Sequence, residues 1–213
     1  MSSNSSSSPP VTHAEAAQTR QLILGSTSRY RRELLARLNT PFTVVGPDVD
    51  ETPAEHEAPH ALALRLALAK ARAVAALHPE AVVIGSDQVA DLNGMPLGKP
   101  GTHERAVLQL QRMRGQTVVF QTAVAVVCAA TQFEEVDLAA VKVRFRDLSD
   151  EEIESYLRTE QPYDCAGSAK SEGLGIALLA SIENDDPTAL VGLPLIRTCR
   201  MLRAAGIALL GSA

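Results

Sequence analysis

The fold is decided by residues 81–100, AVVIGSDQVADLNGMPLGKP. The stretch begins with four apolar residues, AVVI, which are too β-branched and too few for a helix and therefore predict a buried strand. Gly85 and Ser86 follow, so that one carboxylate, Asp87, stands at the end of this predicted strand. Because α/β proteins bind their ligands at the ends of buried strands, Asp87 is the first candidate for chemistry.

The second half of this stretch predicts a hairpin. Asn93-Gly94 is a strong signal for a tight turn between two antiparallel strands. The turn sends the chain back, so that Lys99 returns toward Asp87. An acid and a cation on the two arms of one hairpin favour a site for a charged substrate. The alternative, an Asp that only forms a turn and a Lys that only lies in a loop, stays open at this point.

The composition is that of an ordinary globular protein. The chain has 213 residues, of which 46% are hydrophobic and 21% charged, which fits one α/β domain or two small ones. A net charge of −5 argues against a general binder of nucleic acids or anionic membranes. With 3% aromatic residues and no Trp, base-stacking platforms are scarce. An anionic ligand would therefore have to be met by a local cluster of cations.

Location and domain limits follow from simple patterns. Cys128, Cys165 and Cys199 form no C-x-x-C pair, which indicates reduced thiols and neither a disulfide framework nor a zinc site. The chain has no long apolar window and no apolar signal-peptide core at its start, so we expect a cytoplasmic protein without a membrane anchor. Residues 1–20, rich in Ser and Pro, predict a disordered extension, and residues 21–213 predict a single domain.

The start of the predicted domain has the form of an anion site. A strand at 22–24, a Gly-Ser turn at 25–28 and a helix at 29–38 would aim backbone N–H groups and hydroxyls at an anion. Arg31 stands in the first turn of that helix, where the helix dipole disfavours a cation unless an anion lies in front of it. A plain serine cap followed by solvated arginines is the alternative.

The next two segments add carboxylates and a lysine. The loop 47–53 carries three carboxylates that could ligate a hard divalent cation, although solvated acidic loops are commoner. The following stretch, 60–77, predicts an apolar helix with Lys70 at the edge of its apolar face, as a snorkelling lysine or one at the rim of a pocket. That predicted face consists of Leu62, Leu66, Ala69, Ala73 and Leu77.

The remainder of the chain predicts more strands and helices and one unusual loop. Residues 163–175, YDCAGSAKSEGLG, are too rich in Gly for a helix and too polar for a core, and long loops of this kind are usually functional. We call this segment the late loop. The predicted elements around it are a helix from Thr102 to Arg114, strands at 117–129, 141–145 and 176–182, a capped helix after Ser149, and a last helix facing inward through Ile196, Cys199 and Leu202.

Taken together, these motifs resemble the Maf family of nucleoside triphosphate pyrophosphatases. The resemblance is collinear over about residues 21–205 and is far more specific than any one motif. It rests on Ser26-x-Ser28-x-x-Arg31, Asp50-Glu51-Thr52, Lys70, Asp87 with the returning Gly98-Lys99-Pro100, and Val191-Gly192-Leu193-Pro194.

The resemblance implies a fold, a reaction and a set of roles. The expected fold is α/β, a single elongated mixed β-sheet flanked by helices, with two lobes and a cleft between them. The expected reaction is hydrolysis between the α and β phosphates of a nucleoside triphosphate with Mg²⁺ or Mn²⁺, and a homodimer is a possible assembly. In this assignment Asp87 is the catalytic base and shares the metal with Glu51, and the phosphates are bound by Ser26, Ser28, Arg31, Lys70, Lys99 and Lys170.

The branch of the family follows from two short motifs. Members acting on thymidine and uridine triphosphates carry Ala-Asp-Thr and Asp-Lys-Ala-Gly, whereas this chain has Ser-Asp-Gln at 86–88 and Asp-Cys-Ala-Gly at 164–167. The chain is similar to the branch that hydrolyses 7-methyl-GTP. Because N7-methylation makes the purine cationic, an aromatic face and a carboxylate suit it, and the resemblance assigns specificity to Tyr30, Gln88 and Glu172.

Three other functions compete with this assignment. A sibling enzyme for dTTP and UTP is disfavoured by Gln88 and Cys165. A nucleotide-binding regulator of cell division or septum formation would have little use for a retained Asp87. A Rossmann-type oxidoreductase lacks its G-x-G-x-x-G motif after either early strand.

Overall fold

A seven-stranded mixed sheet forms the centre of the computed structural model, which describes residues 20–210. The predicted extension, apart from Arg20, lies outside these residues. The spatial order of the strands is β2-β1-β3-β5-β6-β7, and the short β4 pairs with the end of β3. The strands are β1 (Leu22–Gly25), β2 (Thr43–Val45), β3 (Val82–Leu92), β4 (Met95–Leu97), β5 (Thr117–Cys128), β6 (Phe133–Phe145) and β7 (Leu179–Glu183).

Strand direction divides the sheet into two parts. β1 runs parallel to both β2 and β3, as expected where a helix connects each pair. The remaining pairs, β3 with β4 and β5, β5 with β6, and β6 with β7, are antiparallel. The predicted hairpin is present, with the turn at Asn93 and Gly94 between β3 and β4. The predicted α/β fold with a mixed sheet is therefore confirmed.

Five helices cover the sheet. They are α1 (Arg29–Ala36), α2 (Pro59–Leu77), α3 (His103–Met113), α4 (Asp150–Glu160) and α5 (Leu195–Ala204). α2 packs on one face of the first strands, and α1 and α5 pack on the opposite face. Among residues 20–210, no helix is both long enough and apolar enough to cross a membrane.

The buried side chains fall into three clusters, which define two lobes. The clusters under α2 and under α1 with α5 share the first strands and form one lobe. The third cluster gathers α3, α4, Leu97 of β4 and the final half of β6, and it forms the other lobe. β3 and β5 run through both lobes, so their middle residues lie at the junction between them.

Two strand predictions were wrong. β3 does not end before Asp87: Gly85 pairs with Gly25 of β1, Asp87 pairs with Ala123 of β5, and the strand continues to Leu92. Asp87 is therefore in the middle of a central strand, where its charge is compensated by a partner described below. The predicted strand at 176–182 begins only at Leu179, because residues 174–178 form a 3₁₀ stretch that packs Gly175 against the backbone of Lys170.

The helix predictions were right in position and partly wrong in face. α1 ends at Ala36, two residues before the predicted end. In α2 the buried side chains include several alanines, whereas Leu77 is exposed, because the helix approaches the sheet through its small residues. In α5, Ile196 is exposed and Leu202 is buried; the inward residues are Leu195, Thr198, Met201 and Leu202.

Candidate active site

A cavity of about 730 Å³ lies at the junction of the two lobes. Its walls come from the turn after β1, the middle of β3, the residues around β4, the late loop and the segment before α5. Most of the residues singled out in the sequence line it. Among the predicted site residues, Lys170 alone does not line it.

Successive side chains of β3 point to opposite faces of the sheet and so reach different walls of the cavity. Asp87 points to the face covered by α2, whereas Ser86 and Gln88 point to the face covered by residues 189–192. The Ser86 hydroxyl donates to the carbonyl oxygens of Ala123 and Gly192, at 2.8 and 3.0 Å. One strand thus carries the central carboxylate and also fixes the opposite wall of the cavity.

Lys70 forms the centre of a buried charge cluster. Its ammonium Nζ lies 2.7 Å from Oδ1 of Asp87 and 2.8 Å from Oε1 of Glu51. Lys70 and Asp87 are only 5% and 8% exposed, so neither charge could be buried at low cost without the other. Lys70 is therefore a buried ion-pair partner and not a snorkelling residue.

Gly85 explains how α2 comes close enough for this pair. A Cβ at position 85 would lie 2.2 Å from the carbonyl oxygen of Ala67 and 2.5 Å from the amide nitrogen of Ala71. The backbones of α2 and β3 are therefore in direct contact at this point, with no room for a side chain. This contact, two residues before Asp87, sets the depth at which Lys70 meets the carboxylate.

Glu51 is the member of the acidic loop that reaches the cavity. Partial burial would raise the pKa of Glu51, but the hydrogen bond and charge of Lys70, aided by Lys99 and Arg31, bring the pKa below its usual value. Asp48 and Asp50 do not line the cavity. The Asp50 carboxylate instead accepts from the backbone N–H of Thr52 in its own loop.

The turn after β1 presents hydroxyls and a guanidinium. Ser28 caps α1, as its side chain accepts from the backbone N–H of Arg31, and the Ser26 hydroxyl accepts from the backbone N–H of Ser28. Nε of Arg31 donates to the carbonyl oxygen of Gly192 at 2.8 Å. Burial lowers the pKa of Arg31, against the opposing charges of Asp87 and Glu51. Ser26, Ser28 and Arg31 all line the cavity.

The carboxylates fit a divalent cation that also binds the substrate. Within residues 20–210 there is no group of three or more His, Cys, Asp or Glu side chains that could hold a metal by itself. Asp87 and Glu51 nevertheless lie on either side of one ammonium and open into the cavity. Mg²⁺ is commonly held by one or two carboxylates together with waters and substrate phosphates, which matches this pair.

The other end of the cavity is formed by Tyr30 and the late loop. The Tyr30 hydroxyl lies 3.7 Å from Sγ of Cys165 and accepts a 2.6 Å hydrogen bond from Arg29. Burial raises the pKa of Tyr30, and burial also raises the pKa of the Cys165 thiol, to about 11. Glu172 lines the same end of the cavity and is exposed.

The amide group of Gln88 is oriented by its neighbours. Its Nε2 lies 2.9–3.0 Å from the Thr122 hydroxyl and from the carbonyl oxygens of Ala189 and Leu190. Since carbonyl oxygens can only accept, the amide NH₂ must face them. The amide oxygen is left as an acceptor at the cavity wall.

The two remaining predicted cations are placed differently. Lys99 lines the cavity beside β4, as the hairpin suggested. Lys170 does not line it: Nζ of Lys170 forms a 2.5 Å ion pair with Oε1 of Glu160, at the end of α4. The structure thus brings together every predicted site residue except Lys170.

Two contributors to the site were not assigned a role from the sequence. Ser86 and the carbonyl group of Gly192 join β3, α1 and the segment before α5. Gly192 has a φ of 122°, a conformation that favours glycine. The Ser86 side chain could have been assigned inward from the alternation along β3, but the carbonyl of Gly192 carries no side-chain signal.

The fold and the site define an α/β protein whose central cleft presents cations, hydroxyls and a paired carboxylate to an anionic ligand. The chain belongs to the Maf family, since the family description "Maf-like protein" matches residues 21–205. It is similar to proteins named 7-methyl-GTP pyrophosphatase from Polaromonas sp. (strain JS666 / ATCC BAA-500), at 76% identity, and from Albidiferax ferrireducens, at 72% identity. These alignments cover 90% and 91% of this chain, and 87% and 97% of the two relatives.

A more distant relative shows the same likeness. The protein of that name from Methylobacillus flagellatus is 60% identical over 87% of this chain and 97% of its own length. The family match at residues 21–205 includes every residue that lines the cavity.

Proposed function

We propose that this protein is a pyrophosphatase that hydrolyses 7-methyl-GTP to the nucleoside monophosphate and pyrophosphate. The observation that carries the proposal is the Lys70–Asp87–Glu51 cluster, which opens into a cavity lined with hydroxyl and cationic side chains in a member of the Maf family. The names of the relatives support the choice of substrate.

The phosphate end of the cavity suits attack by water on a triphosphate. Ser26, Ser28, Arg31 and Lys99 supply hydroxyls and positive charge, which a phosphoryl transfer needs more than it needs covalent catalysis. Asp87 uses Oδ1 for Lys70, and Oδ2 has no hydrogen-bond partner among residues 20–210. Oδ2 is therefore the oxygen that would accept a proton from the attacking water.

A divalent metal belongs to this proposal. Mg²⁺ or Mn²⁺, when bound, would neutralise phosphate charge, and Asp87 and Glu51 are the residues that would hold it. Lys70 keeps these two carboxylates together and adds a fixed positive charge beside them. A homodimer and a cytoplasmic location remain predictions from the sequence.

The base end suits a methylated guanine. The oriented amide oxygen of Gln88 and the Glu172 carboxylate are both acceptors, and a guanine carries N–H donors on the edge that they would face. The Tyr30 ring adds an aromatic surface, which favours a purine made cationic by N7-methylation. These three residues would discriminate the base without taking part in the phosphate chemistry.

The direct test is pyrophosphate release from 7-methyl-GTP, GTP, dTTP, UTP and CTP with Mg²⁺ or Mn²⁺. We expect 7-methyl-GTP to give the highest kcat/KM, and Asp87→Asn to lower kcat by about 10²- to 10⁴-fold, the usual contribution of a general base. Asp147→Asn is the matched control, because Asp147 is exposed and lies outside the cavity lining.

Each other outcome selects a different function. A preference for dTTP and UTP would keep the reaction and remove the roles of Tyr30, Gln88 and Glu172. Tight nucleotide binding without pyrophosphate release, in wild type and Asp87→Asn alike, would favour the regulator of cell division.

A further inference from the structure

Asp164 and Glu172 are the two carboxylates of the late loop that line the cavity, and no side-chain hydrogen bond fixes Glu172 within residues 20–210. Its position must therefore come from the backbone of residues 170–175. We call this the Glu172 turn. It is held by hydrogen bonds from Lys170 and Leu174 to residues of α4.

Glu160 is the residue of α4 that makes most of these contacts. Oε1 of Glu160 pairs with Nζ of Lys170 at 2.5 Å, and Oε2 accepts from the backbone N–H of Leu174 at 2.7 Å. The hydroxyl of Tyr156, one helical turn earlier, accepts from the backbone N–H of Lys170 at 3.1 Å. The Glu160 carboxylate is thus bound at both ends of the turn that carries Glu172.

The end of α4 and the two glycines of the turn are both arranged around this contact. Glu160 is the last residue of α4, where the helix dipole disfavours a negative charge. A Cβ at Gly173 would lie 2.6 Å from the Glu160 carboxylate, and a Cβ at Gly175 would lie 2.5 Å from the Lys170 carbonyl oxygen. Gly173 therefore lets the turn approach the Glu160 carboxylate, and Gly175 lets the turn close on the backbone of Lys170.

The ion pair also determines which carboxylate Lys170 binds. Glu160 gives the largest increase in the pKa of the Lys170 ammonium, and the charge of Glu172 adds a smaller increase. Lys170 and Glu172 are also two residues apart in one turn, which the backbone N–H of Gly173 closes onto the carbonyl oxygen of Lys170 at 3.1 Å. Without Glu160, the Lys170 ammonium would therefore have Glu172 as a neighbouring carboxylate on its own turn.

We propose that Glu160 is a positioning residue for base selection: it fixes the Glu172 turn and keeps Lys170 away from Glu172. The role of Lys170 then differs from the phosphate binding predicted by the resemblance. The proposal rests on the proposed function insofar as Glu172 selects a cationic base, but its structural half can be tested without substrate.

The kinetic test compares kcat and KM for 7-methyl-GTP and GTP in wild type, Glu160→Gln and the double variant Glu160→Gln/Lys170→Met. Glu160→Gln keeps the size of the side chain and removes the negative charge that holds Lys170. We expect the ratio of kcat/KM for 7-methyl-GTP over GTP to fall about tenfold, the size of one charge-assisted hydrogen bond, mainly through KM. The double variant should recover part of that ratio, since the competing cation is gone.

The structural test is hydrogen exchange of the Leu174 amide. Glu160→Ala removes its acceptor, so this amide should lose protection, while the Ala125 amide in the centre of β5 stays as protected as in wild type. Glu80→Gln, an exposed glutamate in the turn before β3, is the control for removing one negative charge in both tests.

The outcomes distinguish the selection role of Glu160 from its positioning role and from phosphate binding by Lys170. An unchanged ratio in Glu160→Gln would overturn the selection role, and an unchanged Leu174 amide in Glu160→Ala would overturn the positioning role. An equal loss of kcat for both nucleotides in the double variant would instead favour phosphate binding by Lys170. If wild type shows no preference for 7-methyl-GTP, the proposed function fails, and hydrogen exchange alone decides whether Glu160 positions the turn.

Discussion

The two ends of the cavity are built in different ways. At the phosphate end, Ser26, Lys70 and Asp87 are at most 8% exposed and belong to, or directly contact, the central strands. At the base end, Tyr30, Cys165 and Glu172 are half-buried or exposed, and their contacts join a helix start to a loop. The residues of the phosphate end are therefore part of the core, whereas those of the base end lie near the surface of the protein.

This difference implies that substitutions at the two ends have different effects on stability and on activity. Lys70 and Asp87 cannot move without disturbing α2 and β3, so their geometry is fixed before a substrate binds. Tyr30 and Glu172 can be replaced at little cost in stability, because they are half-buried or exposed, whereas Gln88 is tied into β3 by its amide. Substitutions of Lys70 and Asp87 should therefore affect stability and all nucleotides, whereas those of Tyr30 and Glu172 should affect only the choice of nucleotide.

The largest effect is expected from Lys70→Met. The substitution keeps the length of the side chain but leaves Asp87 buried without its partner, and breaking such a pair costs about 3 kcal/mol of unfolding free energy. Loss of the fixed cation should also lower kcat by about 100-fold for every nucleotide. Urea unfolding and pyrophosphate release measure the two effects separately.

The double variant Lys70→Met/Asp87→Asn distinguishes the causes. It removes the unpaired charge, so it should regain part of the unfolding free energy while remaining inactive. If Lys70→Met alone were as stable as wild type, burial of Asp87 would not depend on its ion pair with Lys70.

The next effect concerns the contact that places this pair. Gly85→Ala introduces a Cβ where the Ala67 carbonyl oxygen lies 2.2 Å away, so α2 must move off β3. We expect a loss of about 2 kcal/mol in unfolding free energy, typical of overpacking, together with a lower kcat as Lys70 leaves Asp87. Both quantities should change in the same variant, since one displacement causes them.

Gly98→Ala is the stability control, because a Cβ there meets no atom within 4 Å. Its unfolding free energy should stay within about 0.5 kcal/mol of wild type. A Gly85→Ala protein with wild-type stability would mean that α2 can shift freely, and the phosphate end would then be as adaptable as the base end.

The same contrast explains what could be predicted from sequence. The hairpin, the serine cap of α1 and the capping box of α4 were predictable because each depends on a few neighbouring residues. The course of β3 through Asp87 was not, since Gly, Ser and Asp disfavour a strand, and the compensating Lys70 lies 17 residues away. At the site itself, the local conformational preference of the residues therefore differs from the strand that the folded chain forms there.

The differences between prediction and structure at the helices and at the late loop have similar physical causes. The inward face of α2 was misjudged because its closest approach uses alanines, which carry little hydrophobic signal, while Leu77 is exposed. For Lys170, the resemblance predicts a phosphate ligand, and no partner for this lysine is visible in the sequence. Its partner, Glu160, ends the preceding helix, and only the folded chain brings the two together.

The smallest effect should come from Tyr30, and it tests the base end alone. The Arg29 guanidinium already lies 4.7 Å from the centre of the Tyr30 ring, which shows that this ring can receive a cation. Tyr30→Leu should raise KM for 7-methyl-GTP about two- to fivefold, the usual size of an exposed cation–π contact, and change KM for GTP less.

Tyr30→Phe separates the ring from its hydroxyl. It keeps the aromatic face and loses only the contacts with Arg29 and Cys165, so KM for 7-methyl-GTP should change less than about twofold. Neither variant should alter the unfolding free energy by more than about 0.5 kcal/mol, because Tyr30 is only half-buried. An equal rise of KM for both nucleotides, or a clear loss of stability, would show that Tyr30 supports the turn after β1, and the division between the two ends would not hold.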